Sequence, residues 1–202
     1  MQTANRSLTI GGSGTAASTI RIAQYVAVAG IAFQIVHLIE HVAQTGYWFM
    51  HPADAPWLTP WAVVGRDMLV VGGRIVTGNE LLHLLGNGIF MGALLALAWV
   101  AKSHGMSADR FPHLGKAIAT QGIHLAEHVL LTLTVFTIGM PLGLSTLFGF
   151  ATGSWGSSYR IWFHFIINAI ATYYATMGVA EMHEDDLIVP GARRSPAARV
   201  GV

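Results

Sequence analysis

The sequence predicts an all-α integral membrane protein: four transmembrane helices forming a bundle from a duplicated two-helix hairpin, with N and C termini cytoplasmic. Three observations lead there. Apolar residues make up 53% of the 202-residue chain and charged residues only 10%, against about 25% charged in ordinary soluble domains. The apolar residues gather into four runs long enough to cross a bilayer as helices. One stretch is written twice, since Gln34-Ile35-Val36-His37-Leu38-Ile39-Glu40-His41-Val42 returns as Gln121-Gly122-Ile123-His124-Leu125-Ala126-Glu127-His128-Val129, with six of nine positions identical.

Met1 to Thr19 are polar and rich in Gly, Ser and Thr, and read as a flexible tail without the compact apolar core of a signal peptide. The first helix is expected from about Ala23 to Tyr47, with Trp48 and Phe49 marking a membrane interface. From His51 to Gly78 the chain is broken by Pro52, Pro56, Pro60 and Gly72-Gly73, and Asp54, Arg66, Asp67 and Arg74 argue against a span. A long loop is expected there, with an interfacial or re-entrant segment over Trp61 to Val71. The second helix runs from about Asn79 to Val100, and Lys102 to His113 forms a short polar connection. The third runs from about Leu114 to Ile138, the Gly-rich Met140 to Ser158 forms a second loop, and the fourth runs from about Tyr159 to Glu181. The resulting organisation is a tail at 1–19, a first hairpin repeat at 20–102, a second at 103–182 and a flexible tail at 183–202.

The repeat extends beyond the doubled motif, because His83 and Asn87 in the second helix answer to His164 and Asn168 in the fourth. Parallel repeats of two helices close into a bundle with an approximate two-fold axis along the membrane normal. Arg6, Arg21, Lys102, Arg110, Lys116, Arg193, Arg194 and Arg199 fall on one side, and Arg66, Arg74 and Arg160 on the other. The positive-inside rule therefore puts both termini in the cytoplasm, in a multi-pass protein of the plasma membrane. At 1.5 Å per residue, His41 lies about 9 Å below the outer end of its helix, while His83 and Asn87 lie roughly 6 and 12 Å below the same surface. The polar residues of all four helices are thus expected in one layer of the outer leaflet.

Ionisable side chains inside a membrane are costly and point to function. His37 and His41 fall one turn apart on one helix face, as do His124 and His128, which is how a helix presents ligands to a metal. With His83 and His164 they form the expected ligand set, and Glu40 and Glu127 are expected to ligate, bridge metals or accept protons in catalysis. Gln34, Gln121, Glu80, Asn87 and Asn168 are expected behind the ligands, holding their free ring nitrogens. Cys is absent, which excludes disulfides, iron–sulfur clusters and thiolate zinc sites. An imidazole-dominated set leaves Fe, Cu and Zn open, and haem b stands as an alternative cofactor. A net charge of +1 gives no electrostatic case for nucleic acid. The partners expected are the lipid bilayer and other membrane subunits or further copies of the chain.

His-x-x-Glu-His resembles the inverted zinc-protease signature, and the resemblance implies zinc on both His with the Glu as base. Glu80-Leu81-Leu82-His83 resembles the Glu-x-x-His of ferritin-like di-iron bundles, although its repeat mate carries Ile161 where a Glu belongs. The function expected is a membrane metal protein with a His/Glu site holding one or two ions, acting as an oxidoreductase or as an accessory subunit of a membrane oxidoreductase complex. The alternatives are a transition-metal carrier or permease, a b-haem electron-transfer subunit and an intramembrane zinc hydrolase. An apolar stretch below the layer, from Val26 to Ile31 and from Ala169 to Ala175, favours a fixed site over a transport path.

Overall fold

The structure, a computed structural model, describes residues 13–52, 54 and 57–188. Residues 1–12 and 189–202, which carry Arg6, Arg193, Arg194 and Arg199 of the charge count, lie outside the described residues, as does Pro56. Of the described residues 83% are helical, and no strand occurs among them. Its elements are α1 (Ser13–Met50), α2 (Pro60–Met68), α3 (Ile75–Ser103), α4 (Pro112–Ile138) and α5 (Gly153–Glu184), with 3-10 turns at Ala108–Arg110 and Leu144–Gly149. Two stretches, Ala17–Met50 of α1 and the whole of α3, are long and apolar enough to cross a membrane, with mean hydropathy 1.8 and 1.9.

The helices outrun the apolar runs that predict them. Residues 13–19 of the expected N-terminal tail are helical, and α5 continues to Glu184, because an established helix gains a hydrogen bond with each residue added. Beyond α5 the chain docks rather than trailing off: Leu187 and Ile188 are buried, and the Gln24 side-chain amide donates to the Leu187 carbonyl at 2.5 Å. In the long first loop, Pro60 opens α2 at the position where a missing N–H costs nothing. Trp48 is not an interface anchor. It is 7% exposed, and its indole N–H donates to Ser158 Oγ at 3.2 Å.

Helices α1 and α4 each pack against both α3 and α5, so the four long helices form a ring. All neighbours are antiparallel, as the contacts require: Gly30 meets Ala93 where His41 approaches His83, and Leu114 meets Gly178 where His128 approaches His164. Small residues set these approaches. A β-carbon on Gly30 would stand 2.5 Å from that of Ala93, and one on Gly178 would stand 3.0 Å from the Leu114 backbone. At the far end of α4, Gly139 adopts φ 89°, and Arg74 Nη2 donates to the Val135 and Gly139 carbonyls at 3.0 Å each, satisfying acceptors that the helix end leaves open.

The bundle divides along its length. Toward the α3–α4 connection lies an apolar core that includes Ala27, Phe90, Leu94, Leu97, Leu114, Ala171 and Ala175. Toward the two long loops the interior is polar, with Gln34, His41, Glu80, Asn87, Gln121, His124, His128, His164 and Asn168 all buried. Burial of that kind is costly unless the groups are hydrogen-bonded or bound to an ion.

Candidate metal centre

The structure brings all six His expected as ligands into one layer, two each from α1 and α4 and one each from α3 and α5. Their ring centroids stand 4.6 to 6.1 Å apart from one neighbour to the next. The repeat is visible in atomic detail. His37 and His41 bring their Nε2 atoms to 3.2 Å, and His124 and His128 do the same at 3.2 Å. Two imidazole nitrogens on a tetrahedral ion, each about 2.0–2.1 Å from it, stand roughly 3.3 Å apart. Each pair therefore has the separation of two ligands sharing one ion, and without an ion one Nε2–H can donate to the other.

The single His of α3 and α5 have their tautomers set by the backbone. His83 Nδ1 lies 2.8 Å from the Asn79 carbonyl and His164 Nδ1 lies 2.8 Å from the Arg160 carbonyl. A carbonyl can only accept, so each Nδ1 carries the proton and each Nε2 keeps its lone pair. A ligating imidazole needs this arrangement. Nitrogens of His124, His128 and His164 all lie within 4.8 Å of one another, with all three residues buried. The Nδ1 atoms of His124 and His128 are buried without a hydrogen-bond partner.

The two motif glutamates both meet donors from the loops. Glu40 accepts from Gln44 Nε2 at 2.8 Å, from the Thr59 N–H at 3.1 Å and from Thr59 Oγ1, at the start of α2. Glu127 accepts from the N–H groups of Leu144 and Ser145 at 2.8 and 2.9 Å and from Ser145 Oγ at 2.7 Å. Each carboxylate thus holds a loop over the His layer, with three donors on its roughly four lone-pair sites. Gly143 is small by necessity, because a β-carbon there would stand 2.6 to 2.8 Å from the Glu127 carboxylate. Loop anchoring is thus a role these contacts give Glu40 and Glu127 beside the metal-ligand and catalytic roles expected of them.

The four amides bond to one another and to the backbone. Gln34 Nε2 donates to Asn168 Oδ1 at 3.0 Å and Thr172 Oγ1 at 3.1 Å, while Gln121 Nε2 donates to Asn87 Oδ1 at 2.8 Å and the Asn87 carbonyl at 3.1 Å. Asn87 and Asn168 in turn donate to the carbonyls of His83 and His164 at 2.9 and 2.8 Å. These four side chains interlock the two repeats beneath the layer. They fix the backbone that carries the His, not the ring nitrogens.

Glu80 alone stands behind an imidazole. Its Oε2 lies 3.9 Å from His128 Nδ1, and its Oε1 accepts from Arg160 Nη2 at 2.5 Å. Arg160 was missed as a site residue by sequence reasoning, which counted it only as a loop-side charge. Above this pair a cavity of about 280 Å³ is lined by His41, His83, His164, Asn79, Glu80 and Arg160 on its polar side and reaches up to Trp57 and Ser157 in the loops. A second cavity of about 130 Å³, between α1 and α3 and beneath α2, reaches His37 and His83 past Phe33, Val36 and Leu82.

Residues 3–199 match the model of a family described as a family of unknown function, DUF6008. No curated protein and no solved structure matches the chain.

Proposed function

The chain belongs to the DUF6008 family, whose function is unknown, and we propose that it is a multi-pass plasma-membrane protein that binds transition-metal ions in its His layer. The observation that carries the proposal is the doubled Nε2 pair at 3.2 Å, flanked by two imidazoles whose Nδ1 protons are committed to backbone carbonyls. Six neutral imidazoles form a nitrogen-only donor set suited to Fe, Cu or Zn. Rings from different helices stand 5.0 to 6.1 Å apart, a packing that suits ions better than the flat macrocycle of a haem.

Four spanning helices are supported by what the bundle presents outward. Besides α1 and α3, helix α4 exposes Ile123, Leu133 and Phe136, and α5 exposes Trp162, Ile166, Ile170 and Tyr173. Such a continuous apolar belt fits lipid, and the bilayer is the first partner it implies. The excess of Lys and Arg at the end holding the α3–α4 connection supports cytoplasmic termini, with the His layer in the outer half of the membrane.

A buried metal centre reached from the bilayer suits oxidative chemistry on a lipid-soluble molecule, either in this chain or in a larger oxidoreductase complex to which it is an accessory subunit. The apolar core beneath the layer favours a fixed centre over a permeation path. The proposal is tested by metal content. Protein purified in detergent without chelators is expected to carry near-stoichiometric Fe, Cu or Zn by mass spectrometry, and the His37→Ala/His124→Ala variant is expected to lose it. Wild-type protein that carries no metal and takes up none on addition overturns the proposal.

A further inference from the structure

The two repeats carry corresponding His triads in different arrangements: nitrogens of His124, His128 and His164 lie within 4.8 Å of one another, whereas the His83 ring centroid stands 5.8 and 5.9 Å from those of His37 and His41. His124 and His128 are 0% exposed and line neither cavity. The third member of their triad, His164, is 5% exposed and lines the larger cavity beside His41 and His83. In the other triad all three side chains face open space. His41 and His83 line the 280 Å³ cavity under the loops, and His37 and His83 line the 130 Å³ cavity that opens past Phe33 and Val36 toward the lipid-facing side.

The asymmetry has a sequence origin. Glu80 stands 3.9 Å from His128 Nδ1, while its repeat mate is Ile161. A carboxylate that accepts from a ligating imidazole raises its basicity and fixes its orientation; Glu80 stands in ion-pair range of His128 without a hydrogen bond, and the corresponding position facing the other triad has no carboxylate. Closed sites with all positions filled by protein hold an ion for structure or affinity, whereas sites that keep a position open to a small molecule support chemistry.

We propose that the layer holds two inequivalent ions: a closed one on His124, His128 and His164, backed by Glu80, and an open one on His37, His41 and His83 that takes an exogenous ligand. This rests on the metal-binding reading above and assigns its division of labour. The ligand class follows from the two approaches. The larger cavity has the volume of about nine waters, and among its lining residues Asn79 and Glu80 carry oxygens, Oδ1 and Oε2, that have no hydrogen-bond partner, while Arg160 is already paired with Glu80, so it fits a small polar molecule that donates hydrogen bonds. The smaller cavity is walled by Phe33, Val36, Leu82 and Trp61 and fits the end of an apolar molecule arriving from the bilayer.

The test is a cobalt(II) titration of the metal-stripped full-length protein in detergent, followed by its visible absorption, with azide added at saturation. Two equivalents are expected, with azide changing the bands of one and leaving the other. His37→Ala is expected to bind one equivalent that ignores azide, and His124→Gln one equivalent that responds. A single equivalent in the wild type, or two that both respond or both fail to respond, overturns the inequivalence while leaving metal binding intact. No cobalt bound at any concentration overturns the metal-binding reading itself, and this inference with it. The wild-type azide response decides the matter even where a variant does not fold.

Discussion

Replacing Arg160 by Ala is expected to destabilise the folded chain by about 3 kcal/mol, the low end of the cost of leaving one member of a buried ion pair uncompensated. The low end applies because the Arg160 side chain keeps 29% of its exposure, while Glu80 keeps 1%. The carboxylate is the member that suffers: its Oε1 loses the 2.5 Å guanidinium contact, and its Oε2 has no hydrogen-bond partner. Adding Glu80→Gln to the same chain removes the stranded charge and is expected to recover most of the loss. Chemical or thermal unfolding of both variants in detergent measures this. An Arg160→Ala variant within 1 kcal/mol of wild type would show that water reaches Glu80 and that the pair is not a buried one. The hydrogen bond from His164 is made to the backbone carbonyl of residue 160, so a folded variant keeps that ligand's tautomer.

Glu127→Gln is expected to loosen the second loop and spare the metal. Glu127 accepts on both oxygens from the Leu144 and Ser145 N–H groups. A Gln amide presents one oxygen and turns an NH₂ toward a donor. Losing one hydrogen bond to a charged acceptor costs about 1.5–3 kcal/mol, so amide exchange at Leu144 and Ser145 should speed up by roughly ten- to a hundredfold. Metal content should be unchanged. Loss of metal with exchange at these amides unaltered would show Glu127 to be a ligand and contradict its role as a loop anchor.

Most of the centre was legible because ligand presentation on a helix is periodic. His37 and His41 are four residues apart and about 40° apart around α1, so the doubled motif announced both pairs. The loop contacts of the glutamates were hidden for the same geometric reason. Glu40 follows His37 by three residues and precedes His41 by one, which turns it about 60° and 100° away from the two imidazoles, toward the segment that leads into α2. That such a position meets loop donors depends on where Thr59 and Ser145 fold, and no spacing in the sequence records it. The missed Arg160 did leave a trace. Glu80 stands against Ile161 in the repeat and Arg160 stands against Asn79, so the two departures from symmetry carry opposite charges, and they meet in the bundle. The helix ends were hidden because hydropathy marks apolar runs, whereas Ser13 and Glu184 are set by hydrogen bonding and docking.

The measurement that tests the metal centre most directly is X-ray absorption at the edge of the ion bound to wild-type protein. The account predicts a nearest shell of nitrogen at about 2.0–2.1 Å, with the outer-shell scattering of several imidazole rings. A shell of carboxylate and water oxygen, without imidazole scattering, would contradict it and place the ion away from the His layer.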